Sequence, residues 1–401
     1  MKKLIKIALS TALVCCCINV KNANFNKNVQ NDTGAVAVSV SRTIDEDLKT
    51  HAKAAYLMDF NTQTAVYCQN EMMRLPIASM CKIMTLMLAF EAIEEGSLCI
   101  DEEICISNRA ASMGGSQVFL EANAKYKVHE LMKSIVVCSA NDSCVALAER
   151  IAGSENLFVE KMNEKAKEIG AENTLFANCT GLPKEPQYSC AKDVAIMLKS
   201  LLKHEEYYRL GKVWLEKFQH PEGRFTEITN TNKLIRTYDG CDGGKTGFTN
   251  EAGFCLAATA KRGDLRFIAV VIGEESSDTR FRDVGTMFDF GFANYTATPI
   301  VEKGVSLDKT VNVVGGKSEK LKVYPERSSY SFIRHGEKEN LTFDLYFDKV
   351  KAPVSKGEKV GELIVYKDGV EFDRLNLLAA CAVEKATLFD RLREIAREWN
   401  G

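Results

Sequence analysis

Arg74-Leu75-Pro76-Ile77-Ala78-Ser79-Met80-Cys81-Lys82-Ile83-Met84-Thr85 leads into an apolar run that continues to Ala92 and stops at Gly96. From Met80 to Ala92 the run is apolar almost all round. That predicts a helix buried on every side, with Ser79 at its start and glycine as its C-terminal stop. Lys82 is out of place in such a helix unless it has a task. Positions i and i+3 share a helix face, so Lys82 can reach back to the Ser79 hydroxyl. A serine hydroxyl is a poor nucleophile until a base takes its proton. Burial, a nearby cation such as Lys245 and the positive end of a helix would lower the lysine pKa. A neutral Lys82 can then act as general base. Cys81 lies roughly 200° round the helix from Ser79 and is expected to pack away from the site.

Ser-x-x-Lys alone says little, since it recurs at Ser189, Ser200 and Ser306. Only the Ser79 copy is followed by Ser139-Ala140-Asn141 and then by the single Lys245-Thr246-Gly247. Ser139 and Asn141 fall in a turn between helical segments 128–137 and 142–151. A hydroxyl there can relay a proton to a leaving amine, and an amide can orient a substrate carbonyl. Taken alone, the same turn reads as ordinary helix capping. Gly243-Gly244-Lys245-Thr246-Gly247-Phe248 reads as an edge strand, where glycine marks close approach of another backbone and a peptide can add itself as a further strand. Lys245 and Thr246 would bind a carboxylate. The N–H groups of Ser79 and Phe248 would form an oxyanion hole.

Outward from these motifs, 54–59 and 64–69 read as a hairpin, as do 253–261 and 265–272. Ser154 caps a helix with a stripe of Leu157, Phe158, Met162, Ala166 and Ile169, ending at Gly170. A helix is expected over 283–290. After Pro299 come short β-rich stretches at 310–314, 321–324, 342–347 and 362–366, a small all-β domain. Residues 382–399 read as helical, with Val383, Leu388, Phe389, Leu392, Ile395, Ala396 and Trp399 on one stripe. This helix is too short and too charged to span a bilayer and is expected to lie in a membrane interface, or else on the chain's own β domain.

The chain has 401 residues, a net charge of −2 and a pI of about 6.3. No basic stripe points to nucleic acid. Met1-Lys2-Lys3 and the apolar run to Val20 read as a signal peptide over 1–23, or else as a transmembrane anchor, for which the core is shorter than the ~20 residues a span needs; a polar leader follows over 24–47. Fourteen cysteines are present, 11 of them beyond Cys15–Cys17. An odd number cannot all pair within one exported chain, and Cys68, Cys99, Cys138, Cys144 and Cys255 sit in apolar runs where a free thiol packs as a small hydrophobe. We expect the thiols to stay reduced, as in a source living without oxygen. Without Cys-x-x-Cys or His-x-x-x-His, neither metal nor cofactor is expected.

The three motifs in this order form the active-site set of penicillin-recognising serine enzymes. Over residues 45–298 the chain resembles the D-alanyl-D-alanine carboxypeptidases, the low-molecular-mass penicillin-binding proteins. The likeness extends through Asp142, Ala146-Leu147-Ala148-Glu149, Asn178-Cys179-Thr180-Gly181-Leu182, Tyr188-Ser189 and Gly291-Phe292. The resemblance implies an α/β (α+β), β-lactamase/transpeptidase-like catalytic domain over 48–298, with an antiparallel sheet flanked by helices. It also implies a β-rich accessory domain over 299–381 and a C-terminal amphipathic helix over 382–401 on the outer face of the cytoplasmic membrane. Ser79 would attack peptidoglycan stem pentapeptides ending in D-Ala-D-Ala, releasing D-alanine, and β-lactam antibiotics would acylate it. Arg280, before the final helix, would grip the terminal carboxylate. Gln187 and Phe248 depart from the residues usual in the family, histidine and tyrosine or histidine. A class A β-lactamase would need a Glu-x-x-x-Asn loop, which is not found. Endopeptidase or transpeptidase action on cross-links and a non-catalytic wall-binding or β-lactam-sensing role are the remaining rivals.

Overall fold

The structure is a computed structural model that describes residues 48–392. Chain contacts divide it into two units that meet between Ala297 and Thr298. The predicted signal peptide and leader, and residues 393–401 of the predicted C-terminal helix, lie outside the described residues.

The first unit is built on a five-stranded antiparallel sheet. Strands β1 (Ala54–Asp59) and β2 (Ala65–Gln69) form a hairpin, and β3 (Cys241–Thr249), β4 (Gly253–Arg262) and β5 (Leu265–Glu274) a meander. The order is β2-β1-β5-β4-β3, which leaves the Lys-Thr-Gly strand β3 at an edge. Helices α1 (Lys82–Glu94), α2 (Val128–Cys138), α3 (Asn141–Ala152), α4 (Glu155–Glu168), α5 (Ala191–Leu201), α6 (Glu205–Gly211) and α7 (Ser277–Asn294) surround it.

Every residue of β5 is buried, because both faces of the sheet are covered. Side chains alternate along a strand. Ile268, Val270 and Ile272 join the main core with α1 and α5, while Phe267 turns the other way and stacks edge-on against Phe292 of α7 at 5.1 Å. Helix α7 starts well before the predicted residue 283. Ser276 and Thr279 make a reciprocal capping box, a polar signal that a search for apolar spacing passes over.

The second unit holds a six-stranded sheet in the order Leu341–Phe347, Lys359–Lys367, Val370–Ala379, Lys320–Pro325, Thr310–Val314, Val350–Lys351. Its core takes alternate residues: Val311 and Val313, Leu321 and Val323, Leu363 and Val365, Leu375 and Leu377. Val370–Ala379 was not predicted, since charged residues interrupt its first half.

The predicted helix over 382–399 is corrected at its start. Val383 is buried in the β core and exchanges two backbone hydrogen bonds of 2.9 Å with Val354. Helix begins only at Leu388. Thr387 caps it, its hydroxyl accepting from Asp390 N at 3.2 Å while the Asp390 carboxylate accepts from Thr387 N at 2.9 Å. Val383 therefore belongs to sheet packing and not to the apolar stripe. Leu388 and Phe389 are three-quarters exposed. No helix among the described residues is long and apolar enough to cross a membrane.

Candidate active site

Ser79 sits in a tight 3-10 turn, Ala78–Cys81, that precedes α1, and not in the first α-helical turn as predicted. Ala78 just before it has φ +46°, a left-handed conformation that costs a non-glycine residue energy and is held by its surroundings. Lys82 Nζ lies 2.9 Å from Ser79 Oγ and donates to the Thr180 carbonyl at 2.5 Å. Lys82 is fully buried, and burial lowers its pKa. A neutral amine has one lone pair. With an N–H committed to Thr180 O, that lone pair is free for the Ser79 proton. Cys81 turns away as expected, its thiol donating to Asn178 O.

The Thr180 carbonyl is itself held. Asn178 Oδ1 accepts from the N–H of Thr180 (3.1 Å) and Gly181 (2.7 Å), and its Nδ2 donates to Leu182 O (2.8 Å). Gln187 Oε1 accepts from the N–H groups of Ala177 and Asn178 at 3.1 and 3.2 Å. Gln187 is thus a scaffold for this turn. Gly181 has φ +80°, and a side chain there would collide with Ala78 O, so only glycine lets the turn press onto the Ala78–Ser79 backbone.

Ser139 ends α2 in the left-handed region, φ 66°. Its hydroxyl and the Asn141 Oδ1 are buried with no hydrogen-bond partner among the described residues. Buried polar atoms are normally paired, so both have hydrogen-bonding capacity that the described residues do not use, the Asn141 oxygen as acceptor and the Ser139 hydroxyl as donor or acceptor. The Asn141 amide donates to Gly114 O at 2.7 Å. Asp142 accepts from Val118, Leu120 and Ser143 N–H groups, tying the 114–120 loop to this turn.

Strand β3 closes the site. Thr246 Oγ1 meets Thr231 Oγ1 at 2.8 Å, and Thr231 N donates to Val137 O at 3.0 Å, which links the strand to the end of α2. A Cβ placed on Gly247 would lie 3.2 Å from Ser79 N, so the strand and the Ser79 turn are in direct contact. The Lys245 amine is buried and pushed down to about 7, by burial first and then by the charge of Lys82. Phe248 is half exposed, its ring tilted over Phe254 at 4.3 Å. Arg280 lies inside the first turn of α7, not before the helix. It is buried and donates to the carbonyls of Gly247 (3.2 Å) and Cys255 (3.3 Å), with Nε unpaired among the described residues. Ser79, Lys82, Lys245, Thr246, Gly247 and Arg280 are thereby joined in one continuous constellation. Ser139, at the end of α2, and Asn141, at the start of α3, follow Val137, whose carbonyl is tied through Thr231 to Thr246.

Sequence reasoning missed Tyr207, whose hydroxyl accepts from Gly244 N at 2.9 Å and donates to Gly244 O at 3.2 Å. Its position far upstream of the motif gave no signal. All eleven described cysteines are free. Cys99 is exposed, against the expectation from its apolar neighbours.

With this geometry in view, a profile described as D-alanyl-D-alanine carboxypeptidase matches residues 40–276, more than half of the chain. The chain belongs to the D-alanyl-D-alanine carboxypeptidase family. It is a serine-type carboxypeptidase, a low-molecular-mass penicillin-binding protein. A second profile, the C-terminal domain of penicillin-binding protein 5, matches residues 295–385. The chain is 38% identical over 355 residues to D-alanyl-D-alanine carboxypeptidase DacF of Bacillus subtilis (strain 168), covering 88% of this chain and 91% of that one. Among solved structures it is similar to penicillin-binding protein 5 from Haemophilus influenzae, with a TM-score of 0.67 and 28% identity over 84% of this chain and 98% of the other. It is also similar to penicillin-binding protein D2 from Listeria monocytogenes in its ampicillin-bound form, with a TM-score of 0.56 and 29% identity over 61% and 99%.

Proposed function

We propose that the enzyme removes the terminal D-alanine from peptidoglycan stem pentapeptides through an acyl-enzyme on Ser79. The observation that carries this is the buried amine of Lys82 at 2.9 Å from Ser79 Oγ. Lys82 takes the serine proton as Oγ attacks the D-Ala-D-Ala carbonyl, and the N–H groups of Ser79 and Phe248 receive the developing oxyanion. The Ser139 hydroxyl passes a proton to the leaving amine, whose C–N bond breaks to release D-alanine. Water then hydrolyses the ester and restores Ser79. Asn141 orients the substrate amide. Lys245, Thr246 and Arg280 face the terminal carboxylate. Arg280 does so while bracing the Gly247 carbonyl. A β-lactam presents the same carboxylate and acylates Ser79 without ready hydrolysis.

The reaction belongs outside the cytoplasm, where peptidoglycan is. The helical segment 388–392 is part of the membrane-surface contact. Leu388, Phe389 and Leu392 are 75%, 76% and 54% exposed, and burying apolar side chains in the headgroup boundary is favourable. The functional test is product analysis on a D-Ala-D-Ala pentapeptide and on a cross-linked dimer. Release of D-alanine from the first is expected. Cleavage of the dimer alone would replace the carboxypeptidase reading with an endopeptidase one.

A further inference from the structure

The free edge of β3 is not uniform along its length. In an antiparallel strand the N–H and C=O of alternate residues point to the same side. Tyr207 Oη bonds both the N–H and the C=O of Gly244, while Gly244 stands opposite Ala258 of β4. Gly244 therefore points away from β4, and Thr246 and Phe248, two and four residues on, point the same way. One hydroxyl supplies one donor and accepts in turn, so the outward edge at Gly244 is fully used. Tyr207 is buried, and burial raises its pKa far above the ordinary phenol value, which keeps the donor in place.

The rest of this end is walled as well. A Cβ on Gly243 would lie 3.0 Å from the Tyr207 ring, so glycine there is what admits the ring. Beyond Thr246 the strand emerges, and Phe248 is half exposed.

We infer that Tyr207 is a positioning residue that ends the substrate-binding edge at Gly244. The Thr246 carbonyl already accepts from Lys245 Nζ at 3.2 Å, so a peptide added along β3 can pair with the Thr246 N–H and with Phe248 but not past them. The residue after the scissile bond must then end in its own carboxylate at Lys245 and Thr246, and a chain continuing beyond that carboxyl carbon has no strand to follow. The inference rests on the proposed binding of substrate along β3, and gives that site its preference for a terminal residue over an internal one.

The test compares two peptides, one ending in D-Ala-D-Ala and one in which the last carboxyl is extended by an amide-linked residue. In the parent enzyme only the first is cleaved efficiently. If the parent cleaves neither, the proposed function fails, not this inference. Tyr207→Phe keeps the ring and removes the hydroxyl. It is expected to raise KM for the first peptide and to narrow the kcat/KM ratio between the peptides at least tenfold. An equal loss on both peptides, with the ratio unchanged, would show a merely structural role and overturn the inference. If the variant does not fold, amide hydrogen exchange of the parent enzyme decides. Gly244 N–H should be protected at least a hundredfold more than Phe248 N–H, and similar rates would overturn the proposal.

Discussion

Gly247→Ala adds one methyl group at the point where the Lys-Thr-Gly strand meets the nucleophile. Its Cβ would stand 2.7 Å from Ile77 O, 3.2 Å from Ala78 Cβ and 3.2 Å from Ser79 N. Carbon contacts are most favourable at about 3.5–4.0 Å, so strand and turn must separate by roughly half an ångström or more. Overpacking of this kind costs about 1–3 kcal/mol of stability. The chemical cost is larger, because the same displacement pulls the Phe248 N–H away from the Ser79 N–H. Loss of one oxyanion donor lowers rate about 10²–10³-fold, roughly 3–4 kcal/mol of barrier at 1.36 kcal/mol per tenfold. The assay is the second-order rate of acylation by a fluorescent penicillin, with thermal unfolding as the control for folding. A folded variant acylated within threefold of the parent would refute the claim that this contact builds the oxyanion hole.

Lys82→Arg should abolish acylation, because a guanidinium stays protonated and cannot act as base, whereas Lys245→Arg should retain measurable labelling. Equal labelling of parent and Lys82→Arg would remove the base role. Glu274, buried at the end of β5, has its carboxyl pushed up to about 7, by burial first and then by Asp283. As pH rises from about 4.5 to 7 the unfolded chain loses this proton before the folded one does, so stability falls across that window. Glu274→Gln should therefore raise the melting temperature more at pH 8 than at pH 5, and an identical change at both would contradict the shift. Removing residues 388–401 should abolish flotation with phospholipid vesicles while leaving the β domain folded. If the parent and the truncated form float equally, the membrane contact lies elsewhere.

The catalytic motifs were legible because each is local and their order is informative. Lys82 was conspicuous as a charge in an apolar helix, and strand β3 as glycines flanked by apolar hairpins. What stayed hidden was set by partners distant in sequence. The Thr180 carbonyl on Lys82, the Gln187 scaffold behind Asn178 and the Tyr207 clamp on Gly244 leave no mark in spacing. The left-handed backbone at Ala78 and Ser139 was equally invisible, since neither is glycine. Val383 was assigned to a helix stripe because a buried valine in a strand and one on an amphipathic face look alike in a short window. The start of α7 was lost because a capping box is polar.

The most direct test of the account is intact-mass analysis after penicillin treatment, with peptide mapping, on the parent and on Ser79→Ala. One adduct per chain on the Ser79 peptide is expected, with none on Ser79→Ala, and with D-alanine release from the pentapeptide lost in parallel. An adduct mapping to Ser189 or Cys81, or D-alanine release persisting in Ser79→Ala, would contradict it.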